Sequence, residues 1–311
     1  MKSENQQTPK WGFILNPTAG NYFGQKYEDK LREVIKRKSL DADISITNCK
    51  GHATQLAEEF YNKGYNNIVA VGGDGTINEV ARFLIGKPNV KMGIVPAGTG
   101  NDTIQILGFP NRFEESDWEI FLEARSAKID TGMCNGKVFL NGMGIGFDAQ
   151  VAAQNYTEDG SVKREGGDKY LWHILKTLWS YKENNFKIMN GQVHSECEYF
   201  MSTIANGRRF AAKYFITPEA YSDDGMLDVC LVKKIGLLRR FRLFMQVPTG
   251  SHIKDKNVEY FKTNEIKIEF NKSVPYHLDG ELFYDSNFDV SIHSNSLEII
   301  YNPQGNHYLS V

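Results

Sequence analysis

From Trp11 to about Leu107, short apolar runs alternate with stretches whose apolar residues recur at helical spacing. Trp11–Leu15 is apolar, Tyr27–Lys38 is charged and helical, Ile44–Thr47 is extended, and Ala53–Asn62 is helical again. Two more apolar runs, Ile68–Val71 and Met92–Val95, flank a helical pattern over Ile77–Ile85. Strand–helix repetition of this kind predicts a largely parallel sheet with helices on both faces, a three-layer α/β domain.

After roughly Asp130 the texture changes to short runs of β-branched and aromatic residues broken by turn signals: Lys137–Asn141, Tyr199–Ala205, Leu227–Val232, Glu265–Phe270 and Phe288–Ile292. These predict a second, mainly antiparallel β domain. The expected fold class is therefore α/β plus β, with residues 1–131 in the first domain and 132–311 in the second. A length of 311 residues supports the division, since it exceeds what one core usually sustains.

Two segments of the second domain depart from strand patterning. The polar stretch Asn155–Asp168 is followed by Tyr170–Tyr181, with aromatic and aliphatic residues at helical spacing, and there Trp172 and Trp179 read as helix-packing residues. Gly236–Met245 mixes Arg239, Arg240 and Arg242 with large apolar residues. The segment is compatible with an amphipathic helix on anionic lipid. The preferred expectation is a helix that packs Leu237, Phe241 and Phe244 inward and leaves the arginines in water.

Composition narrows the function classes. A formal net charge of -2 gives no overall attraction to nucleic acid, and no base-reading motif is present. The four cysteines are scattered without a Cys-x-x-Cys pair, as expected for reduced thiols in a cytoplasmic protein. Met1–Lys10 is polar and no run approaches the ~20 apolar residues of a membrane span, so membrane contact is expected to be peripheral.

The chemistry lies in loops that directly follow the apolar runs: Asn16-Pro17-Thr18-Ala19-Gly20, Gly72-Gly73-Asp74-Gly75 and Pro96-Ala97-Gly98-Thr99-Gly100. In a parallel sheet, ligands bind at the carboxyl ends of the strands, so three such loops are expected to share one rim. Successive glycines before a helix let backbone amides point at phosphate. Thr76 with Glu79 three residues on matches a capping box at the helix start. Asp74 would repel phosphate unless a magnesium ion or a hydroxyl donor stands between them. Asp102 is open to two readings, a ligand contact or a cap on the helix starting near Thr103. Neither a Walker lysine motif nor a Gly-x-Gly-x-x-Gly fingerprint occurs.

Gly72-Gly73-Asp74-Gly75-Thr76, Pro96-Ala97-Gly98-Thr99-Gly100-Asn101-Asp102 and Asn16-Pro17 together resemble the catalytic domain of the diacylglycerol kinase and bacterial lipid kinase family. The resemblance extends through Gly144-Ile145-Gly146-Phe147-Asp148, Asn206, Pro218, Asp224-Gly225-Met226-Leu227-Asp228, Gly250-Ser251-His252 and Asp279-Gly280-Glu281. It implies a β-sandwich for the second domain, with a C-terminal tail that packs back on the first. It also implies a Mg²⁺-dependent transfer of the γ-phosphoryl of ATP to a lipid hydroxyl.

By the same resemblance the nucleotide residues are Asn16, Thr47, Gly72, Gly73, Asp74, Gly75, Thr76, Asn78, Glu79, Gly98, Thr99, Asn101 and Asp102. Glu281 is the expected catalytic base, supported by Asp279, with Asp74 also catalytic. Asp224 by side chain and Tyr221 and Met226 by carbonyl are the implied metal ligands, although spacing alone reads that segment as a β-turn. Competing expectations are an NAD-kinase-like enzyme, a kinase of sphingosine, ceramide or phosphatidylglycerol, and a nucleotide-binding protein without turnover.

Overall fold

The computed structural model describes residues 9–154, 167–190, 193–211 and 213–310. The chain divides into two units, one of Met1–Ile129 and Ser296–His307, the other of Asp130–Asn295 and Tyr308–Ser310.

The first unit is α/β. Its strands β1 (Trp11–Leu15), β2 (Ala42–Ile46), β3 (Asn67–Gly72) and β4 (Lys91–Pro96) are parallel in the order β4-β3-β1-β2. β1 and β3 are buried along their whole length, the signature of a parallel sheet covered on both faces. Helices Tyr27–Lys38, His52–Asn62, Asp74–Leu84 and Glu115–Leu122 supply the cover. Helix Asp74–Leu84 buries Ile77, Val80 and Leu84. Each such side chain contributes about 1.5–3 kcal/mol. That outweighs the cost of about 1 kcal/mol for Gly75 inside the helix, so the glycine is tolerated there. The late segment Ser296–His307 joins this unit: Ile299 lies in parallel register with Met92, and the Asn302 amide donates to the Leu107 carbonyl at 2.8 Å.

The second unit is an antiparallel β-sandwich. Its strands are β5 (Ser126–Cys134, in this unit from Asp130), β6 (Lys137–Phe139), β7 (Gly142–Gly146), β8 (Asn184–Asn190), β9 (Val193–Ala205), β10 (Arg209–Phe210), β11 (Tyr214–Phe215), β12 (Leu227–Lys233), β13 (Val258–Thr263), β14 (Glu265–Leu278) and β15 (Glu281–Ile300, in this unit as far as Asn295). β8 pairs with both β9 and β14, which brings the sheet back over itself around Met143, Ile188, Tyr199, Ile268 and Phe288. Along β14, Ile266, Ile268 and Phe270 face in while Glu265, Lys267 and Glu269 face out, the alternation of a half-buried strand. A second apolar cluster seats helices Phe147–Ala153, Gly167–Ser180 and Leu237–Gln246. His252, buried and donating from Nε2 to the Ile216 carbonyl, is held neutral by burial, its pKa lowered to about 4.

Two expectations for this unit are corrected. Trp172 and Trp179 do not pack: Ile174, Thr177 and Leu178 form the inward face of their helix, and the tryptophans lie on the opposite face, 57% and 71% exposed. Helical spacing identified a helix but did not say which of two apolar stripes it buries. In Leu237–Gln246, Leu243 is buried and Phe241 and Phe244 pack as expected, but the arginines are not all in water. Arg240 is buried, paired with Glu183 at 2.5 Å, and Arg239 is forked onto Asp255 at 3.0 Å. A buried guanidinium with a carboxylate and carbonyl partners meets its hydrogen-bonding needs inside the protein.

Most of the polar stretch Asn155–Asp168 and the side chain of Cys197 lie outside the described residues. Cys49, Cys134 and Cys230 are free thiols, and burial pushes Cys134 and Cys230 up to about 12, which keeps them protonated and inert.

Candidate active site

In the first unit the three glycine-rich loops meet at the carboxyl ends of β1, β3 and β4. The Asn16 amide donates to the Val71 carbonyl at 2.9 Å, and its Nδ2 donates to Thr76 Oγ1 at 2.9 Å. The Ala97 amide donates to the Gly72 carbonyl at 2.8 Å. Gly73 and Gly98 touch backbone to backbone: a Cβ on Gly98 would lie 2.4 Å from the Gly73 Cα. Only glycine at both positions lets these loops approach so closely. Thr47 follows β2, its amide donating to the Leu15 carbonyl at 2.8 Å, so it stands beside Asn16 on the same rim.

Asn101 braces the third loop. It is buried, with φ of 54°, and its side chain accepts from the Gly98 amide at 2.9 Å and donates to the Gly98 carbonyl at 3.0 Å. The brace leaves Thr99 exposed at the loop tip. Asp74 opens the helix from the second loop, and its Oδ1 accepts from the Thr103 amide and hydroxyl, both at 3.4 Å. The capping reading of Asp102 is thereby corrected: Asp102 makes no side-chain cap bond, and the carboxylate at Thr103 comes from Asp74 in another loop.

The capping box is corrected as well. The helix begins at Asp74 behind Gly73, so Thr76 lies inside its first turn with its hydroxyl engaged by Asn16. The Glu79 carboxylate instead accepts from the amides of Gly51 at 2.8 Å and Ala53 at 3.1 Å, capping the start of the neighbouring helix His52–Asn62. The orphan amides of a nearby helix compete for a carboxylate as well as those of its own. Asn78 is buried within helix Asp74–Leu84.

Sequence reasoning missed Arg112. Its guanidinium donates to the Gly98 carbonyl at 3.3–3.4 Å and stacks 4.2 Å from the Phe23 ring centroid. The arginine lies 14 residues beyond Gly98, with no motif spacing to announce it. It puts a cation beside a phosphate-type loop that has no lysine of its own.

In the second unit, Asp279 and Gly280 form the two-residue turn joining β14 to β15, with φ of 46° and 85° and Leu278 opposite Glu281. Positive φ at both central residues is what a tight hairpin demands, and Asp-Gly is a strong sequence signal for it. The Asp279 carboxylate accepts from three amides, Leu140 at 2.7 Å, Asn141 at 3.0 Å and Gly142 at 2.7 Å. Asp279→Ala would strip an acceptor from three amides and is expected to lower the unfolding free energy by about 2–4 kcal/mol. Asp279→Asn should cost less, since asparagine keeps an acceptor and tolerates positive φ; urea denaturation of both variants checks the order. Glu281, the first residue of β15, is half-buried.

The turn Tyr221–Met226 sits among cations and carboxylates. Asp224 accepts from the Met226 amide at 3.0 Å and from Lys262 Nζ at 2.8 Å, and Lys262 also reaches Asp228 at 2.9 Å. Burial would lower the Lys262 pKa, but the hydrogen bonds and charges of Asp224 and Asp228 outweigh it and hold it above the ordinary value. The turn offers hard oxygens of the kind magnesium takes, yet a metal bound there shares its single side-chain ligand with an ammonium already in place. Asp130 ties into the same turn, accepting from the Gly225 amide and the Asn295 amide, both at 2.7 Å. Burial raises its pKa, partly offset by those two amides. Asn206 donates to the carbonyls of Asp130 and Leu140 at 2.9 and 3.2 Å. Another residue missed from sequence is His277, buried 3.8 Å from Asp148, whose carboxylate accepts from Thr203 Oγ1 at 2.9 Å.

Residues 10–134 match the profile of the diacylglycerol kinase catalytic domain, and residues 141–301 match the YegS C-terminal NAD kinase β-sandwich-like domain. The chain belongs to the diacylglycerol kinase catalytic-domain family. Family membership makes it a kinase. It is 29% identical to a diacylglycerol kinase of Bacillus subtilis over 272 residues, covering 86% of this chain and 88% of that one. A diacylglycerol kinase of Staphylococcus aureus is also 29% identical, over 274 residues that cover 86% and 84% of the two chains. Among solved structures, one from Bacillus anthracis superposes with a TM-score of 0.77 at 24% identity over 97% of this chain and 99% of the other. The structure of a diacylglycerol kinase from the same organism superposes at 0.70 and 21%, covering 96% and 99%. Both show the family fold. No helix among the described residues is long and apolar enough to cross a membrane.

Proposed function

We propose that the protein is a lipid kinase that transfers the γ-phosphoryl group of ATP to a hydroxyl of diacylglycerol or a related lipid, with Mg²⁺ as the accompanying cation. The observation that carries the reading is the contact of Gly73 with Gly98, which joins two glycine loops beside a helix start that has no side-chain cap. Backbone amides at such a place favour phosphate, and the partial positive charge of the helix end adds to them. The lipid half of the reading draws on the similarity to the diacylglycerol kinases of Bacillus subtilis and Staphylococcus aureus.

Phosphoryl transfer asks the protein for position and charge rather than covalent chemistry. In this reading the Asn16, Gly73 and Gly98 loops seat the nucleotide phosphates, with Thr47 and Thr99 at the edges of the same rim. Asp74, a carboxylate at the mouth of a phosphate cradle, fits a divalent cation between itself and the phosphates. Magnesium, when bound, neutralises charge on the transferring group. Glu281 accepts the proton of the attacking hydroxyl, and Asp279 holds the Leu140–Gly142 backbone that borders the hairpin. The Asp224 turn is structural here, and no step of the transfer runs through it.

Arg112 supplies positive charge next to Gly98 and binds ground state and transition state alike. Arg112→Ala is expected to raise the KM for ATP about tenfold with kcat little changed, measured by initial rates at saturating lipid. A panel of acceptors tests the function as a whole: diacylglycerol, phosphatidylglycerol, sphingosine, ceramide and NAD, each with γ-labelled ATP. Label on diacylglycerol supports the reading; label on NAD alone, or nucleotide binding with no label transferred, defeats it.

A further inference from the structure

We propose that the outward faces of helices Gly167–Ser180 and Leu237–Gln246 form a docking surface for an anionic lipid bilayer. The inference deepens the lipid-kinase reading, on which it rests for its purpose, by naming where the protein meets the membrane that carries its acceptor.

On the first helix Trp172, Leu175 and Trp179 recur at i, i+3 and i+7, exposed by 57%, 39% and 71%. On the second, Leu238 and Met245 recur at i and i+7, exposed by 88% and 75%. Each stripe carries a cation at i+4: Lys176, its Nζ 5.2 Å from the Trp172 ring centroid, and the exposed Arg242. No Asp or Glu occurs from Lys169 to Lys182 or from Lys233 to Gln246. The carboxylate that follows the first helix, Glu183, is turned to Arg240, which also donates to the carbonyls of Leu178 at 2.8 Å and Tyr181 at 3.1 Å. Arg240 thus clamps the two helices to each other and withdraws the Glu183 charge from the surface.

Large apolar side chains gathered in water at two neighbouring helices mark an interaction surface. Their chemistry selects the partner. Tryptophan is favoured at the membrane–water interface, lysine and arginine extend from apolar surface to reach headgroups, and two stretches, Lys169–Lys182 and Lys233–Gln246, that carry cations and no carboxylates are matched to anionic lipid.

The chain reports on this face by itself. It has four tryptophans, and Trp11 and Trp118 are 2% and 0% exposed, so a lipid-induced change in emission belongs to Trp172 and Trp179. Without ATP, vesicles of phosphatidylglycerol and phosphatidylcholine are expected to blue-shift the emission, and brominated lipid to quench it. Phosphatidylcholine alone should act more weakly. The double variant Trp172→Ser/Trp179→Ser should lower vesicle partitioning by at least about tenfold. Leu238→Ser/Met245→Ser should lower it in the same direction with both reporter tryptophans retained.

No emission change and no co-sedimentation by the wild type would overturn the proposal, as would undiminished binding by both double variants. A dimer abolished by the same substitutions, without vesicle binding, would give the face to a second copy of the chain and overturn it too. Vesicle binding as described, in an enzyme that phosphorylates none of the lipids tested, would leave the docking face standing and remove the lipid-kinase reading alone.

Discussion

Glu281→Gln is expected to lower kcat by about 100- to 10,000-fold, the range for losing a positioned general base. Its KM values and thermal stability should change little. Glutamine has the shape of glutamate, and the hairpin that carries residue 281 is fixed elsewhere. The Asp279-Gly280 turn sets the register of Leu278 against Glu281, and three amide bonds anchor Asp279. A base acts only as the hydroxyl oxygen attacks, so its loss falls on turnover rather than on ground-state binding. Initial rates against both substrates, beside a thermal melt, separate this outcome from misfolding.

Asp74→Asn is expected to have the second large effect, a fall in kcat/KM for ATP of about 100- to 1,000-fold, together with a need for higher Mg²⁺ to reach half-maximal rate. The substitution separates the observed loop contact of this carboxylate from the cation role proposed for it. Asparagine keeps an oxygen for the Thr103 amide and hydroxyl, so the link between the second and third loops survives. What it removes is the negative charge that the proposed cation beside the phosphates requires. Undiminished turnover in this variant would show that the carboxylate is a loop tie and nothing more.

Much of the frame was legible in the sequence. Alternating strand and helix patterns over Trp11–Leu107 gave the parallel sheet, since its buried strands are continuous apolar runs. The glycine loops announced their meeting place because they follow those runs directly. The errors share a cause. Distance along the chain pairs Thr76 with Glu79 and Asp102 with the helix at Thr103, while the structure pairs by proximity across loops: Glu79 with Gly51 and Ala53, Asp74 with Thr103, Thr76 with Asn16. Local hydrogen-bonding rules identify a residue's capacity, and tertiary neighbours decide who uses it.

Trp172 and Trp179 show the same limit for packing. A helix with apolar residues on two stripes has one too many for a single core, and periodicity does not rank them. Arg112 was invisible for a simpler reason: an arginine in an irregular segment carries no pattern until the fold brings it to Gly98.

The proposed reaction moves phosphoryl from ATP to a lipid hydroxyl. Incubating the purified protein with γ-labelled ATP, Mg²⁺ and diacylglycerol in mixed micelles, then separating lipid from aqueous phase, tests it most directly. Label is expected in the lipid phase, lost on chelating the metal and reduced at least about 100-fold in Glu281→Gln. Label that stays in the nucleotide, or is released only as inorganic phosphate, would contradict it.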